Sequence, residues 1–485
     1  MCSRKWSPTA ILFVRNSAGD SVEYDMVISG KFYRRGQIEE GSIGVKDGRI
    51  AAIKKDLRGD KNYEVKGLIL PAGMDAHVHF REPGSTYKED FETGTLSALS
   101  GGITTVLDMP NNNPAPVTSR LLSQKDAIVS RRAWTDYGLF GGVSYESDIE
   151  VMARMVPAFK LYMGPTTGAI PSIRREDLPE LVRRIMESGS ILSVHAEEHD
   201  CLRYHEKRIR EKMGADWKER SLKDHARLRP PECETKAVEH ILNIFYRTDL
   251  LKKGGHLHIC HVSSPDLMNT VEKYRSGYAR LVEFGSVKAD RFLTTEVTPH
   301  HLFLDYDCEN GALCKVNPPL RDANNRENLM LLLRTSMIDM VASDHAPHTV
   351  EDKEAEFDRA PSGIPGTETM YPLLMKAYAD GHLRLKRVVD SVATLPARYY
   401  GALGKGVIEQ GYLADFAVFD LHRSTVIRGE DLHSKAGWTP YEGWEAIFPQ
   451  MVFMRGELML KRTGTGDRQE IEIVGERAGR NIFRK

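Results

Sequence analysis

The segment Asp75-Ala76-His77-Val78-His79-Phe80-Arg81-Glu82-Pro83-Gly84 sets two imidazoles two residues apart. In a strand, positions i and i+2 share a face, so His77 and His79 present their rings side by side. Two neutral imidazole nitrogens at that spacing suit a divalent ion such as Zn²⁺; the plainer reading is a hydrogen-bonded core pair. Three more strand-like runs end in the same way. Ile191-Leu192-Ser193-Val194 ends on His195, His256–Cys260 on His261, and Met340-Val341-Ala342-Ser343 on Asp344, with His345 and His348 just beyond. Any one of these is an ordinary packed histidine or helix cap; four strand ends bearing His or Asp form a set. Lys160 joins them from the apolar run Ala158-Phe159-Lys160-Leu161-Tyr162-Met163-Gly164, where a bare ammonium is costly. It is either a lysine snorkelling from a strand end or a desolvated amine that has taken up CO₂ as an anionic carbamate.

Such a set needs a frame that brings strand ends to one place. From Leu68 to Leu403 strands alternate with helices. The strands expected are Met74–Phe80, Thr104–Met109, Tyr137–Val143, Phe159–Met163, Ile191–His195, His256–Val262, Leu293–Val297 and Met340–Asp344. The helices expected include Glu92–Ser100, Glu176–Glu187, Glu234–Phe245, Pro265–Tyr274 and Arg326–Met337. Eight such strands are the count of an α/β (β/α)8 TIM barrel, whose active sites lie at the C-terminal strand ends. An open doubly wound sheet is the alternative, but neither a GxGxxG turn nor a Walker loop accompanies the strands. Both ends of the chain read as short β-structure, so residues 1–71 and 405–485 are expected to form one small β-sandwich beside a barrel at 72–404. The stretch 199–233 carries 17 charged residues in 35 and reads as a solvated helical excursion on the rim. The last twenty or so residues read as a polar tail that packs on a neighbouring surface or frays.

Composition removes several classes of function. Lysine and arginine total 67 against 68 acidic residues in 485, a net charge of −1, which argues against a nucleic-acid binder or a polybasic membrane-surface protein. No apolar run approaches the roughly 18 residues of a membrane span, and Ala10–Val14 is shorter than the ~7–15-residue core of a signal peptide. Six scattered cysteines without a CxxC pair read as reduced thiols, and the cytoplasm as the compartment.

Six separated motifs occur in order: HVHFREPG (77–84), ETGTLSALSGGITTVLDMPNNNP (92–114), EVTPHHLFL (296–304), KVNPPLR (315–321), SDHAPHT (343–349) and SGIPGTETM (362–370). Together they resemble the type I dihydroorotases of the amidohydrolase superfamily over roughly residues 25–460. The resemblance implies two Zn²⁺ ions held by His77, His79, Lys160, His195, His261 and Asp344, bridged by a carbamate on Lys160 and a hydroxide. Relatives carry either an aspartate or a carbamylated lysine at this place, and Lys160 puts the chain with the second group. Glu296 and His300 match family positions; a structural role is the default expectation, with additional metal ligation the alternative.

The same resemblance gives Arg81, Asn111 and His348 to the α-carboxylate of dihydroorotate, and Asn317, Ser362 and Gly363 to its ring. A guanidinium two residues after His79 suits bidentate hydrogen bonding to a carboxylate. From its residues alone, Asn111 is a turn former in a Pro-Asn-Asn-Asn-Pro loop. The implied reaction is the zinc-dependent, reversible hydrolysis of L-dihydroorotate to N-carbamoyl-L-aspartate in pyrimidine biosynthesis, with Asp344 as the catalytic proton shuttle. Hydantoinase (dihydropyrimidinase) and allantoinase are the rival activities; they share the metal ligands and lack the arginine. A non-catalytic scaffold on the same barrel is the rival of another class, and it typically has lost ligands that this chain keeps. A homo-oligomer, and an association with aspartate transcarbamoylase, are further implications. The run Gly164-Pro165-Thr166-Thr167-Gly168 is a candidate cover for the pocket.

Overall fold

The computed structural model describes residues 24–165, 173–214, 217, 220–247, 255–283, 292–465 and 468–484. Ala10–Val14 and the Thr166-Thr167-Gly168 part of the candidate cover lie outside these residues.

Eight parallel strand positions surround a central core. They are Gly73–Val78, Ile103–Asp108, Asp136–Leu139 continuing as Gly141–Gly142, Ala158–Tyr162, Ile191–His195, His256–Ile259, Leu293–Val297 and Met340–Val341. Each pairs with the next, and the ring closes where Val78 bridges His345 in parallel and the His79 amide donates to the His345 carbonyl at 2.8 Å. All eight expected strands are present. Ile103–Asp108, Ile191–His195 and Leu293–Val297 are buried at every position, as strands covered on both faces must be.

Around them lie helices whose apolar stripes face inward. Leu178–Glu187 buries Leu181, Val182, Ile185 and Met186, spaced to fall on one face. Phe91–Ser100 is fixed at its start by Asp90, whose side chain accepts from the Glu92 and Thr93 amides. The other expected helices occupy Pro231–Arg247, Pro265–Glu283 and Ala323–Arg334.

The two ends of the chain share one eight-stranded sheet. Its order is Arg468–Ile473, Glu457–Thr465, Pro449–Met454, Phe416–Phe419, Gly59–Pro71, Tyr24–Arg34, Gln37–Lys46 and Arg49–Lys54. The seam between the halves is the antiparallel register Phe416↔Pro71 to Phe419↔Leu68. Ile28, Ile43, Ile50 and Ile69 from one half pack in the same apolar cluster as Phe416, Val418 and Phe453 from the other. The architecture is therefore a TIM barrel with a β-domain contributed by both termini.

Two features differ from the sequence reading, and a third decides between its alternatives. Cys201 pairs with Cys233 and Cys308 with Cys314 as disulfides, where reduced thiols were expected. Chain spacing hid the first pair because it depends on how the helix His199–Met213 lies against the first turn of Pro231–Arg247. The charged stretch 199–233 is helical as expected, over His199–Met213 and Leu222–Leu228, but it is not wholly solvated: His225 meets Asn317 and Arg229 meets Glu197 behind the pocket. The polar tail packs, as one of its two readings had it: the Tyr137 amide donates to the Arg480 carbonyl (2.9 Å), and Asn481 donates to Asp126 (2.8 Å).

Candidate functional site

The C-terminal ends of the strands deliver His77, His79, Lys160, His195, His261 and Asp344 to one cavity. All are buried except Asp344, whose side chain keeps 13% exposure. Asp344 Oδ1 lies 3.3 Å from His77 Nε2 and 3.1 Å from His79 Nε2. His195 Nδ1 faces His261 Nε2 at 3.0 Å. The ligand atoms of His77, His261 and Asp344 lie within 4.8 Å of one another, as do those of His77, Cys260 and Glu296. Arg81, His261 and Asp344 have φ of 59°, 35° and 49°, so three residues of the site sit in the left-handed region that non-glycine residues usually avoid. Such strain persists where surrounding structure over-determines the backbone, and it turns these side chains inward at strand ends.

A second layer of polar groups fixes which imidazole nitrogen faces the cavity. His77 Nδ1 meets Glu296 Oε1 at 2.5 Å, His79 Nδ1 meets Asn111 Oδ1 at 2.5 Å, and His195 Nε2 meets Glu197 Oε2 at 2.9 Å. Each of these oxygens accepts an N–H, which turns the opposite nitrogen of each ring toward the centre. Glu197 is in turn gripped by Arg229 from the charged stretch, with Nε to Oε1 at 2.9 Å. Glu296 also accepts from His258 Nε2 at 3.0 Å.

Burial and charge set the protonation states. For His77, burial and Lys160 disfavour the imidazolium, but Glu296 and Asp344 outweigh them and raise it to about 10. Burial lowers His79 to about 4 and carries His261 well below its usual value. Burial also works against the Asp344 carboxylate, yet the surrounding imidazoles, His77 first, hold it well below the usual carboxylate range.

These residues fit a divalent metal centre. Two imidazole nitrogens face each other, a carboxylate oxygen is wedged between two more, and His261 Nδ1 is buried with no hydrogen-bond partner among the described residues. A cation there would take the lone pairs of these inward nitrogens, displacing the proton that Glu296 and Asp344 favour on His77. Lys160 is fully buried; its Nζ donates to Cys260 Sγ at 2.9 Å and sits 5.4 Å from the Tyr162 ring centre, with no carboxylate partner among the described residues.

The residues assigned to substrate surround the same cavity. Arg81, Asn111, Asn317, Ser362 and Gly363 line it, while His348 stands behind Arg81. Arg81 Nε donates to the Pro347 carbonyl at 3.3 Å, and Nη2 lies 3.2 Å from His348 Nε2. Burial pulls the Arg81 guanidinium down, only partly offset by the more distant Asp344 and Asp108. His348 is driven down by burial, Arg81 and Lys88, so it stays neutral. Gly363 has φ of +137°, and a side chain there would strike the Ala346 carbonyl and crowd His348, which explains glycine beside the pocket.

Several residues in or behind the pocket went unread in the sequence. Tyr162 lines the cavity with its hydroxyl buried and without a hydrogen-bond partner among the described residues. It lies two residues after Lys160, so strand periodicity carried that signal. Glu197, two residues after His195, shares that spacing; Cys260, Arg229 and His225, which meets Asn317 Oδ1 at 2.9 Å, had no signal of this kind. Glu296 orients His77 and accepts from His258, and it also belongs to a group of metal-competent side chains with His77 and Cys260. Both ring nitrogens of His300 are buried without hydrogen-bond partners among the described residues.

Comparison with known proteins agrees with this geometry. Residues 68–459 match the model of the amidohydrolase family. A dihydroorotase of Methanosarcina mazei is 37% identical over 442 residues, covering 88% of this chain and 92% of its own. A dihydroorotase of Pyrococcus abyssi is 36% identical over 467 residues, covering 95% and 99%. Among solved structures, the L-hydantoinase (dihydropyrimidinase) of Arthrobacter aurescens superposes with a TM-score of 0.83 at 25% identity, over 94% of this chain and 99% of that one. With a family match spanning most of its length, the chain belongs to the amidohydrolase family.

Proposed function

We propose that the protein is a dihydroorotase, which hydrolyses the cyclic amide of L-dihydroorotate to N-carbamoyl-L-aspartate and closes the same ring in the biosynthetic direction. Arg81 carries this reading. A buried guanidinium with no carboxylate partner among the described residues lines the cavity that holds the metal-ligand set, and a substrate carboxylate is the group it lacks. The names of relatives at 34–37% identity agree with it. Likeness of fold to a hydantoinase does not discriminate, because the rival activities share the barrel and its ligands.

His77, His79, Lys160 as its carbamate, His195, His261 and Asp344 would hold a pair of divalent ions, zinc by the donor set, which would supply Lewis acidity and a nucleophile at neutral pH. Conversion of the Lys160 ammonium to a carbamate is supported by its burial without a counter-charge. Asp344 is ionised at neutral pH, accepts the proton of the attacking water and delivers it to the ring nitrogen as the C–N bond breaks. Arg81 pairs with the substrate carboxylate, with Asn111 beside it. His348 stays neutral and backs the guanidinium, adding no positive charge behind it. Asn317, held by His225, and the Ser362–Gly363 backbone border the ring.

A pyrimidine-pathway role, a homo-oligomeric assembly, contact with aspartate transcarbamoylase and a cytoplasmic setting belong to the same reading. The decisive experiment assays dihydroorotate, carbamoyl aspartate, hydantoin and allantoin in parallel, with and without added zinc. Turnover of the first two alone is the expected result; preference for hydantoin or allantoin overturns the assignment.

A further inference from the structure

A second group of metal-competent side chains lies away from the pocket. Cys201 and His205 stand one helical turn apart on His199–Met213, so they share a face. Cys233 comes to that face from the first turn of Pro231–Arg247. The ligand atoms of the three lie within 4.8 Å of one another. Cys201 and Cys233 are buried, and the His205 side chain is 15% exposed. His205 Nε2 itself is buried with no hydrogen-bond partner among the described residues; the nearest carboxylate oxygen, Glu232 Oε2, is 3.7 Å away.

In the structure the two sulfurs are bonded to each other, which leaves that imidazole nitrogen unsatisfied. A buried polar atom without a partner is destabilising, and it is rare in folded proteins. Two thiolates and an imidazole are the soft donor set that zinc prefers, with Glu232 or a water as the fourth ligand.

We propose that Cys201, His205 and Cys233 form a second divalent-cation site of the zinc class, loaded when the cysteine pair is reduced and closed when the pair is a disulfide. Loading begins with a dithiol reductant. Two electrons and two protons pass to the protein, the Cys201–Cys233 bond breaks, and the dithiol leaves as its own disulfide. The cation then displaces both thiol protons and accepts the His205 Nε2 lone pair. Either state ties together the same two helices. The Cys201 amide donates to Glu198 Oε2 at 2.7 Å and the Glu198 amide to the Cys233 carbonyl at 3.0 Å, directly after Glu197, which orients His195. The site thus fastens the rim behind the catalytic cavity, and it stands independently of the activity proposed above.

The test uses the full chain, reduced with a dithiol, desalted anaerobically and loaded with Co²⁺. Metal per chain and thiolate-to-cobalt absorption are read for wild type, His205→Ala and Cys201→Ser. Both variants are expected to bind one ion fewer and to lose the thiolate absorption that wild type gains on reduction. Cys260 is present in all three proteins, so any signal from it cancels. His205→Ala keeps both cysteines, which separates a metal site from a disulfide staple: the oxidised variant should still form the disulfide by thiol titration. Equal metal content and spectra in wild type and His205→Ala overturn the proposal. So does a wild-type pair that takes up no additional ion on reduction, or one that the dithiol cannot reduce in the folded chain.

Discussion

Two regions of this barrel bury cations, and they do so in opposite ways. At the seam with the β-domain, Lys405 is enclosed between Asp136 (2.8 Å) and Asp415 (2.5 Å), and Arg455 adds a second cation to Asp136 at 2.7 Å. Burial works against the Lys405 charge, but Asp415 and Asp136 outweigh it and hold its pKa above the usual value. In the pocket, Arg81 and Lys160 are as deeply buried, yet neither contacts a carboxylate among the described residues. For Arg81 burial wins and the pKa falls. A buried ion whose counter-charge comes from the protein holds structure together; one whose counter-charge is missing marks where a ligand or a modification supplies it.

The largest effect should come from Lys160. Lys160→Ala is expected to lose bound metal and to lower kcat about 10³-fold or more, because metal assistance contributes several kcal/mol to the transition state. Metal analysis and dihydroorotate turnover check it; full activity with both metals retained would mean that the Lys160 region resembles the seam after all. Lys405→Met is the opposite case. It leaves Asp136 and Asp415 buried with less compensation and should cost roughly 3–5 kcal/mol of stability, with metal content unchanged in the folded fraction. Denaturant unfolding measures the first quantity and metal analysis the second.

Arg81→Ala should lower kcat/KM for dihydroorotate roughly 100-fold, the loss of one or two charge-assisted hydrogen bonds, while both metals stay. Near-wild-type turnover would remove the basis for a carboxylate-bearing substrate. The smallest effect concerns His225, which holds Asn317 and is buried as the neutral imidazole. Burial, then Arg229 and Lys315, lower it to about 3. The unfolded chain binds this proton below about pH 6.5 and the native chain only near 3, so its contribution to stability is complete above pH 6.5 and is lost as acid is added through that window. Melting temperatures followed from pH 7 to 4 should fall less steeply in His225→Asn; identical slopes would show that His225 is not protonated on unfolding there.

Much of the frame was legible because its signals are local. Eight buried strands announce themselves as short apolar runs, and a residue at the end of such a run points into a barrel's C-terminal mouth. His77, His79, His195, His261 and Asp344 were found on that basis. Glu197 and Arg229 were not, since their role arises only where the charged stretch folds back over the rim and the two meet behind His195. Nor was the Cys201–Cys233 pair, whose sulfurs sit on two helices. Asn111 looked like a turn former until its side chain was seen against His79. The polar tail read as packing or fraying, and its contacts at Arg480 and Asn481 favour packing.

By itself the sequence determined the kinds of donor available, their positions at strand ends, and the alternation of strand and helix that a barrel requires. These follow from periods of two and 3.6 residues and from side-chain chemistry, which act over a few neighbours. Tertiary structure decided which nitrogen of each histidine faces inward, which buried cations meet a carboxylate, and that Arg81 and Lys160 do not. Those outcomes depend on closure of the ring through Val78 and His345, which brings groups hundreds of residues apart to within hydrogen-bonding distance. No local rule carries that information, because the strength of a buried charge depends on what the rest of the chain places beside it.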